Sequence, residues 1–529
     1  MSKSWTRRGG AEEVYERGLG LNELQFYYRS TVLHGCTDLV QSVAFDALDT
    51  NISESTVAQA WISIKQRNPL LGAYFDKLGP SDDDLRFVVD QNRLRTCRVG
   101  EIVWESVRSE EEAYAYLDTV LNAKRILNDD HLTQLFVLKR SDCEGRYHLA
   151  IHAAHAIIDG ISFFAVVRAL LDSLANGIFE SADSLPARLA LCPCAEDLFP
   201  MKKQTLARQR WRRAMANVIN SIRARSMNGG YTLPGNFTAN MVLRPTKSSI
   251  VWVDLTHEQS SAVGMTCRKH GLTFGNAYPI IGQVAMARVL ARRYARGEIS
   301  EEEWQFRQRE PIWDAGPINQ RPLLNPEWYR AGGADVAMIN IAFFFLRLPF
   351  TPLHLNADKY IPSYGELLPT PRFFHRAKTM RAQAAAYFNH PLYLELNAGG
   401  MPARIEGTKA LSSSMKSPPP DRPVSALERS RNGLVMGMGG SSLGRIDGLL
   451  PTSYPAQNPK ILVDSVHTRL RCQPGEVYLG ASSYKGIMRL NVFWDENVTS
   501  REVVAEWLSE IKDATTYYLG NEQETLAKL

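Results

Sequence analysis

The sequence predicts a mixed α/β protein with at least two large lobes. The chain is 529 residues long, and a single hydrophobic core rarely organises a chain of that length. Its content of 44 % hydrophobic and 22 % charged residues is typical of a globular protein. Helical and strand-like patterns occur both before residue 178 and after residue 245. Residues 178–245 between them have the character of a connection.

The N-terminal part contains the clearest local order. The apolar spacing over 53–66 predicts a helix, and the runs over 132–139 and 146–152 predict two strands joined as a hairpin. A helical pattern follows over 161–174 and is ended by Asn176 and Gly177. The predicted order is therefore strand, loop, helix, with the loop over 152–160.

The C-terminal part repeats this mixture of patterns. Predicted strands cover 250–254, 336–348, 433–438, 477–483 and 488–494, and predicted helices cover 274–292 and 500–519. The proline-rich residues 416–423 predict a surface loop. We therefore divide the chain into an N-terminal lobe over 1–200, a basic connection over 201–245 and a C-terminal lobe over 246–529.

The positive charge of the chain is concentrated in the connection. Of the net charge of +5, a segment without acidic residues supplies +8, which leaves −3 on the rest, 5 minus 8. So local an excess argues against a protein built to bind nucleic acid. The eight residues are Lys202, Lys203, Arg208, Arg210, Arg212, Arg213, Arg223 and Arg225.

The same segment predicts an amphipathic helix. Its apolar side chains share one face: Trp211, Met215, Val218, Ile219 and Ile222. One interpretation is a solvated helix packed on the surface of the protein. The other is a positive patch near the mouth of a site for a phosphate-bearing ligand.

Several protein classes are excluded at this stage. No apolar run follows the charged residues 1–10, so we expect no secretory signal, and the apolar stretch over 339–346 is too short to cross a bilayer. Cys192 and Cys194 lack the second pair that a zinc site needs, and no other ligand cluster is visible. We expect a cytoplasmic protein with reduced thiols and no metal.

The strongest chemical signal is the segment from His155 through Asp159 to Gly160. A histidine on a loop after a buried strand can remove a proton from a hydroxyl or an amine, because its pKa lies near neutrality. Asp159 is placed to brace the loop, and Gly160 permits backbone angles that a side chain would hinder. The alternative is a core histidine bonded to a carbonyl, with Asp159 as a helix cap.

A glycine-rich segment over 440–444 has three interpretations. Ser442 fits the G-x-S-x-G elbow of α/β hydrolases, but no helix start follows it, and Asp464 and His467 are too close in sequence for a triad. Ser441 and Ser442 also resemble a carrier-protein attachment site, which needs a helix there too. A structural, glycine-rich strand end is the third interpretation.

Together these segments resemble the coenzyme-A-dependent acyltransferase superfamily, which includes chloramphenicol acetyltransferase, the plant BAHD enzymes and condensation domains. The H-x-x-x-D-G signature is matched by His155, Asp159 and Gly160. Ala154 replaces the first histidine of condensation domains, and the plant D-F-G-W-G segment has no match. Three further segments resemble members of this superfamily: 319–322, 440–447 and 483–494.

The resemblance implies two chloramphenicol-acetyltransferase-like lobes of mixed sheets flanked by helices, with an active-site tunnel between them. It implies that His155 is the general base and that Asp159, Gly160 and Arg321 hold its loop. Acetyl-CoA is the expected co-substrate, and we expect the reaction to require no metal ion. Ser441 or Ser442 is the candidate oxyanion donor, and Arg210, Arg212 and Arg213 are candidate cofactor contacts.

The expected acceptor is a small alcohol. Residues 3–8, 15–20 and 441–447 resemble the fungal trichothecene 15-O-acetyltransferases, which implies transfer of an acetyl group to the C-15 hydroxyl of a trichothecene in mycotoxin biosynthesis. One alternative is an acetyltransferase for another alcohol or terpenoid. The other is a non-catalytic binding protein with a degenerate acyltransferase fold. We expect a monomer that binds no nucleic acid and has no membrane span.

Overall fold

The computed structural model describes residues 4–9, 13–177, 183–200, 204–351 and 360–520. Lys202 and Lys203 of the basic segment lie outside these ranges, as does Lys3. Within them the chain forms three sheets flanked by helices.

The strands of the described ranges are numbered in chain order. They are β1 Thr6–Arg7, β2 Val14–Gly18, β3 Leu39–Ala47, β4 Tyr74–Lys77, β5 Leu85–Asp90, β6 Ile102–Val107, β7 Thr133–Arg140, β8 Arg146–Ala153, β9 Ser248–Asp254, β10 Ile312–Asn319, β11 Ile341–Leu348, β12 Met436–Arg445, β13 Ser453–Tyr454, β14 Ile461–Leu470, β15 Val477–Tyr484 and β16 Ile487–Asp495.

The helices of the described ranges are numbered in the same way. They are α1 Leu21–Val32, α2 Glu54–Arg67, α3 Gln91–Arg95, α4 Glu110–Asn122, α5 Gly160–Asn176, α6 Leu185–Ala190, α7 Leu206–Ser226, α8 His257–Lys269, α9 Phe274–Ala295, α10 Glu301–Arg307, α11 Pro326–Arg330, α12 Tyr364–Leu367, α13 Thr370–Phe388, α14 Tyr393–Lys416, α15 Ala426–Asn432 and α16 Arg501–Leu519.

The N-terminal lobe is built on a six-stranded sheet with the order β13-β14-β3-β8-β7-β6. Its central strands β3, β8 and β7 pair antiparallel, and β6 pairs parallel to β7. Strands β13 and β14 from the C-terminal half complete this sheet. Strand β14 pairs antiparallel with β3, and β13 pairs antiparallel with β14. Trp61, Phe45 and Phe163 are fully buried in the core that this sheet covers. A smaller sheet with the order β1-β2-β5-β4 belongs to the same half.

The C-terminal lobe has its own six-stranded sheet, with the order β11-β10-β12-β15-β16-β9. In it β12 runs parallel to both of its neighbours, β10 and β15, and the other pairs are antiparallel. Helices α9 and α16 pack together on this lobe. Trp507 of α16 is fully buried, and its indole N–H donates to the Gly282 carbonyl of α9 at 3.0 Å.

These observations confirm two lobes of mixed sheets flanked by helices. The predicted hairpin and the helix after it are β7, β8 and α5, and their ends lie within two residues of the predicted ones. The tunnel expected between the lobes and the domain boundaries stay predictions. The sheet order adds that residues 453–470 pair with the N-terminal strands.

Two predicted strands differ in extent from the observed ones. The strand expected over 336–348 begins only at Ile341, because the backbone groups just before it serve the polar side chains described below. The strand expected over 433–438 is β12, which continues to Arg445 through the glycine-rich segment.

Candidate active site

His155 lies on a tight loop between β8 and α5. The strand ends at Ala153, the N–H of Ala154 donates to the Leu132 carbonyl at 2.9 Å, and the chain then turns into the helix. The Nδ1 atom of His155 is 2.8 Å from the carbonyl oxygen of Ile158. Because a carbonyl oxygen only accepts, we assign the ring hydrogen to Nδ1. The lone pair of the neutral ring is then on Nε2, where a base needs it.

The surroundings of His155 keep its ring neutral. The residue is only 9 % exposed, and the ring of Phe26 from α1 lies against it, with 4.2 Å between the ring centroids. Burial lowers the pKa of His155 below its usual value; the charge of Asp159 opposes this shift and that of Arg29 adds to it. A neutral imidazole at physiological pH is the form that can accept a proton.

Asp159 is fully buried and uses both carboxylate oxygens. Its Oδ1 accepts the N–H groups of Ile161 and Ser162, each at 3.1 Å, and so caps α5. Its Oδ2 accepts from Arg321 Nη1 and from the N–H of Asn340, each at 2.8 Å. Burial by itself raises the pKa of Asp159, but Arg321 and the backbone donors outweigh it and hold the pKa below its usual value. Asp159 is therefore an anchored carboxylate.

Arg321 ties the C-terminal lobe to the histidine loop. It follows β10, is 1 % exposed, and donates through Nη2 to the Met338 carbonyl at 2.9 Å. The same carbonyl accepts from Ser162 Oγ at 3.1 Å. The backbone of 338–340 thus takes part in this network, which explains why β11 begins later than predicted.

Gly160 requires a correction. We expected it to supply backbone angles that a side chain would hinder, but it is the first residue of α5 and is absent from the glycines with positive φ. A Cβ atom there would meet no atom within 4 Å. Gly160 therefore leaves open space beside the histidine loop instead of relieving strain.

Ser441 and Ser442 lie in the middle of β12, and both are half-buried. Ser441 hydrogen-bonds to Tyr478 of β15, and the Cβ atom of Ser442 lies beside Gly275 of α9. These contacts are all within the C-terminal lobe. A Cβ atom at Gly440 would lie 2.5 Å from Tyr278, so this glycine is required by packing.

The hydrolase interpretation of this segment is wrong. A strand continues through both serines to Arg445, whereas an elbow needs a helix directly after its nucleophile. His467 lies on β14, within 2.9 Å of the Tyr114 hydroxyl, and Asp464 is paired with Arg146. The same strand also excludes the helix that a carrier-protein serine would precede.

A cavity of about 1610 Å³ lies between α7, α13 and α14. Its lining includes Arg213 and Arg223 of α7, Arg404 of α14 and Tyr387 of α13. Arg223 is stacked over the Tyr387 ring at 5.2 Å. In the part of the chain that the structure describes, none of these three arginines has a carboxylate within 4 Å.

The arginines of α7 therefore have different surroundings. Arg213 lines the cavity, Arg212 is paired with Glu395 of α14, and Arg210 is exposed and outside the cavity lining. Three carboxylates also line the cavity: Glu395 is paired with Arg212, Glu196 accepts the N–H of Leu21 at 2.9 Å, and Asp197 forms no ion pair with the three cavity arginines in the described ranges. The cavity thus retains unpaired positive charge.

An aromatic row connects His155 with this cavity. Phe26 lies on His155, the ring of Phe343 is 6.3 Å from that of Phe26, and Arg404 lies 5.9 Å from Phe343. Sequence reasoning missed Phe26, Phe343 and Arg404. Phe26 belongs to the amphipathic stretch of α1, but its spacing contained no signal for contact with residue 155.

Comparison with solved structures identifies the fold. The TRI3 trichothecene 15-O-acetyltransferase from Fusarium sporotrichioides superposes with a TM-score of 0.72 at 11 % identity, over 98 % of each chain. The first condensation domain of the calcium-dependent antibiotic synthetase gives 0.58 at 12 % identity, over 96 % of this chain and 97 % of that one. The condensation domain of the monacolin K polyketide synthase MokA gives 0.59 at 11 % identity, over 97 % and 98 %.

The chain has the fold of the condensation-domain and chloramphenicol-acetyltransferase-like acyltransferases. The resemblance inferred from the H-x-x-x-D-G segment is thereby confirmed at the level of the fold. No protein-family model matches the chain, and no curated protein matches it in sequence. The likeness therefore rests on three-dimensional structure.

Neither a membrane-spanning helix nor a cluster of metal ligands occurs in the described residues. No described helix is long and apolar enough to cross a membrane. No group of three or more histidine, cysteine, aspartate or glutamate side chains is arranged to hold a metal ion in the described ranges.

Proposed function

We propose that this protein is an acyltransferase that moves an acetyl group from acetyl-CoA to a hydroxyl of a small alcohol. The observation that carries the proposal is the position of His155: its Nδ1 is bonded to the Ile158 carbonyl and its Nε2 is left to act as a base, in a chain with an acyltransferase fold. No acyl-enzyme is needed.

His155 performs both proton transfers in this mechanism. Its Nε2 removes the proton of the alcohol while the alcohol oxygen attacks the thioester carbonyl carbon. The tetrahedral intermediate then collapses, the carbon–sulfur bond breaks, and His155 returns the proton to the leaving thiolate. The products are the acetate ester and free coenzyme A, and the enzyme is unchanged.

The other site residues act through position. Asp159 and Arg321 hold the histidine loop against the C-terminal lobe, since both oxygens of Asp159 are already occupied by N–H donors. The oxyanion of the intermediate requires a hydrogen-bond donor. Ser441 or Ser442 on β12 is the candidate donor.

The arginine-lined cavity fits the phosphates of coenzyme A. Arg213, Arg223 and Arg404 offer positive charge without carboxylate partners in the described ranges, and guanidinium groups suit phosphate oxygens. Phe26 and Phe343 lie between His155 and Arg404, and we propose that the pantetheine arm passes along these apolar rings. Of the three cofactor candidates from the sequence, this supports Arg213; Arg210 and Arg212 do not line the cavity, and Arg212 is paired with Glu395.

For the acceptor, we propose a trichothecene-like alcohol acetylated at its C-15 hydroxyl. The support is the likeness over the whole chain to a trichothecene 15-O-acetyltransferase, together with the similar sequence segments. All seven cysteines are free, which supports a cytoplasmic enzyme. We further propose that it acts as a monomer.

The test is release of coenzyme A thiol from acetyl-CoA in the presence of sesquiterpenoid and simple alcohols. His155→Ala should remove at least about 99 % of the activity, since a positioned base contributes roughly 100-fold or more. His375→Ala, at an exposed histidine of α13, is the matched control and should remain active. An active, folded His155→Ala enzyme would refute the mechanism, and a wild type inactive with every alcohol would favour a binding protein.

The cofactor site has a separate test. Arg213→Glu should raise the KM for acetyl-CoA and leave the KM for the alcohol unchanged, because it places a carboxylate in the cavity wall. Arg210→Glu makes the same charge change on the same helix, outside the cavity. Equal KM values for the two variants would exclude the cavity as the phosphate site.

A further inference from the structure

We propose that the outer face of α7 binds to the surface of an anionic lipid membrane. This face is a seam of six residues spaced three and four apart, called here the α7 seam. Its members are Arg208, Trp211, Met215, Val218, Ile222 and Arg225. The spacing places all six on one side of the helix, with apolar residues in the middle and an arginine at each end.

The apolar residues of the α7 seam face outwards. Trp211 is 60 % exposed, Val218 52 % and Ile222 61 %. Met215 is half-buried at the edge of the seam, where it packs against Leu392 and Leu396. Three large apolar side chains in line on one helix form a contiguous exposed patch, which distinguishes them from scattered surface residues.

The protein holds α7 by a different face. Ala216 is completely buried against α14, Asn220 donates to the Leu396 carbonyl at 2.8 Å, and Arg212 is paired with Glu395. The polar residues Asn217 and Asn220 line the cavity. The helix thus packs on the protein through a mixed face, in which Ala216, Met215 and Ile219 contact Leu392 and Leu396 beside the polar contacts, and it leaves Trp211, Val218 and Ile222 exposed.

The positive charge of α7 favours an anionic partner. From Leu206 to Ser226 the helix contains six arginines and no acidic residue. Arg208 and Arg225, at the ends of the seam, are exposed, so their guanidinium groups can reach lipid phosphates while their stems follow the apolar surface. Binding of a second copy through the same seam would bring two acid-free positive helices together, which like-charge repulsion opposes.

The arrangement matches helices that lie in the interface of a membrane. Such helices combine an apolar face containing tryptophan with flanking arginines, and they depend on anionic lipid for part of their affinity. The proposal is independent of the catalytic one, because the seam points away from the cavity that Arg213 and Asn217 line.

The test is co-flotation of the full-length protein with vesicles. Vesicles of phosphatidylcholine with about 30 mol % phosphatidylserine are compared with vesicles of phosphatidylcholine alone. We expect binding to the anionic vesicles only, with most of it lost at about 0.5 M NaCl, because salt screens the arginines.

Two double variants test the seam itself. Trp211→Ser with Ile222→Ser removes apolar area, and Arg208→Glu with Arg225→Glu reverses the flanking charges; each should reduce the partition coefficient by roughly tenfold or more. Leu78→Ser with Val99→Ser is the control, since both residues are exposed apolar side chains elsewhere, at 57 % and 100 %. Unfolding curves verify that every variant is folded.

Three outcomes would overturn the proposal. They are a wild type that floats with neither vesicle, a seam variant that binds like the wild type, and a control that loses as much binding as the seam variants. Sedimentation velocity without vesicles adds a fourth: self-association abolished by the serine pair would assign the seam to a second copy instead.

Discussion

Replacement of Arg321 by methionine should destabilise the protein and reduce its activity through the histidine loop. The guanidinium donates to Asp159 at 2.8 Å and to the Met338 carbonyl at 2.9 Å, and both partners of the ion pair are at most 1 % exposed. Removal of one partner of a buried pair costs about 3–5 kcal/mol. Two lost hydrogen bonds to a charged group, at about 1.5–3 kcal/mol each, give an overlapping range of about 3–6 kcal/mol.

The expected loss depends on pH in a defined direction. Because the pKa of Asp159 in the folded protein is lowered, the pair contributes stability above the unfolded pKa of about 4 and loses it as the pH falls through the folded value. In the variant, only the backbone N–H donors oppose the effect of burial, so the pKa of Asp159 should be higher than in the wild type. The difference between wild type and variant should therefore be largest near neutral pH and should narrow below about pH 4.

The assay combines urea unfolding, followed by tryptophan fluorescence, with the thiol-release rate. Lys65→Met is the matched control, because Lys65 and Glu101 form a similarly buried pair at 2.6 Å away from the histidine loop. Both variants should lose stability, but only the change at Arg321 should lower kcat by roughly tenfold or more at a temperature where both are folded. A stability loss under about 1 kcal/mol, or an equal loss of kcat in both, would refute the reasoning.

Four further predictions follow from single contacts. The rate should depend on one deprotonation with an apparent pKa below about 6.5, because burial lowers the pKa of His155; an inflection above pH 7 in the pH–rate profile would contradict this. Asp159→Asn turns an N–H group towards Arg321 and should lower kcat by about 100-fold; full activity would exclude its positioning role. Burial raises the pKa of Asp314 to about 7, so the contribution of this carboxyl to stability should fall as the pH rises from 4 to 7. The stability of Asp314→Asn relative to the wild type should therefore rise by about 4 kcal/mol over that interval in urea titrations, and parallel curves would show that the carboxyl is not so shifted. Gly316→Ala would place a Cβ atom 1.8 Å from the Gly440 carbonyl, which should cost several kcal/mol and lower the urea midpoint markedly; an unchanged midpoint would mean that the two strands can separate.

The predictable parts of the fold are those set by neighbours in sequence. Ser53 caps α2 and Asp159 caps α5, and both helices begin where these capping residues indicate. Gly177 ends α5 in the left-handed conformation, with φ of 65°. These capping signals depend only on residues a few positions apart, so they can be recognised from the sequence alone.

The parts that could not be predicted depend on distant partners. Strand β14 mixes polar and apolar residues and becomes a strand because β3, more than 400 residues away in sequence, pairs with it. Helix α14 continues through Gly399 and Gly400, which local propensity disfavours. A Cβ atom at Gly399 would lie 2.7 Å from Asn217 Oδ1, so the close approach of α7 accounts for that glycine.

The candidate site divides in the same way. The spacing of His155, Asp159 and Gly160 and the strand and helix around them were readable from the sequence, and so was the type of chemistry that a histidine loop supports. The meeting of Asp159 with Arg321, 162 residues further along, was implied only by the resemblance. The contacts of Phe26 with His155 and of Arg404 with Phe343 had no sequence signal.

By itself the sequence determined which residues share a helix face, which residues cap a helix, and that His155 is held on a loop between a strand and a helix. It also identified α7 as a basic amphipathic helix. Only the tertiary structure decided that α7 turns Trp211, Val218 and Ile222 outwards and Arg213 towards a cavity. The physical reason is that periodicity fixes positions around one helix axis, whereas the face that becomes buried is chosen by the packing of the whole chain.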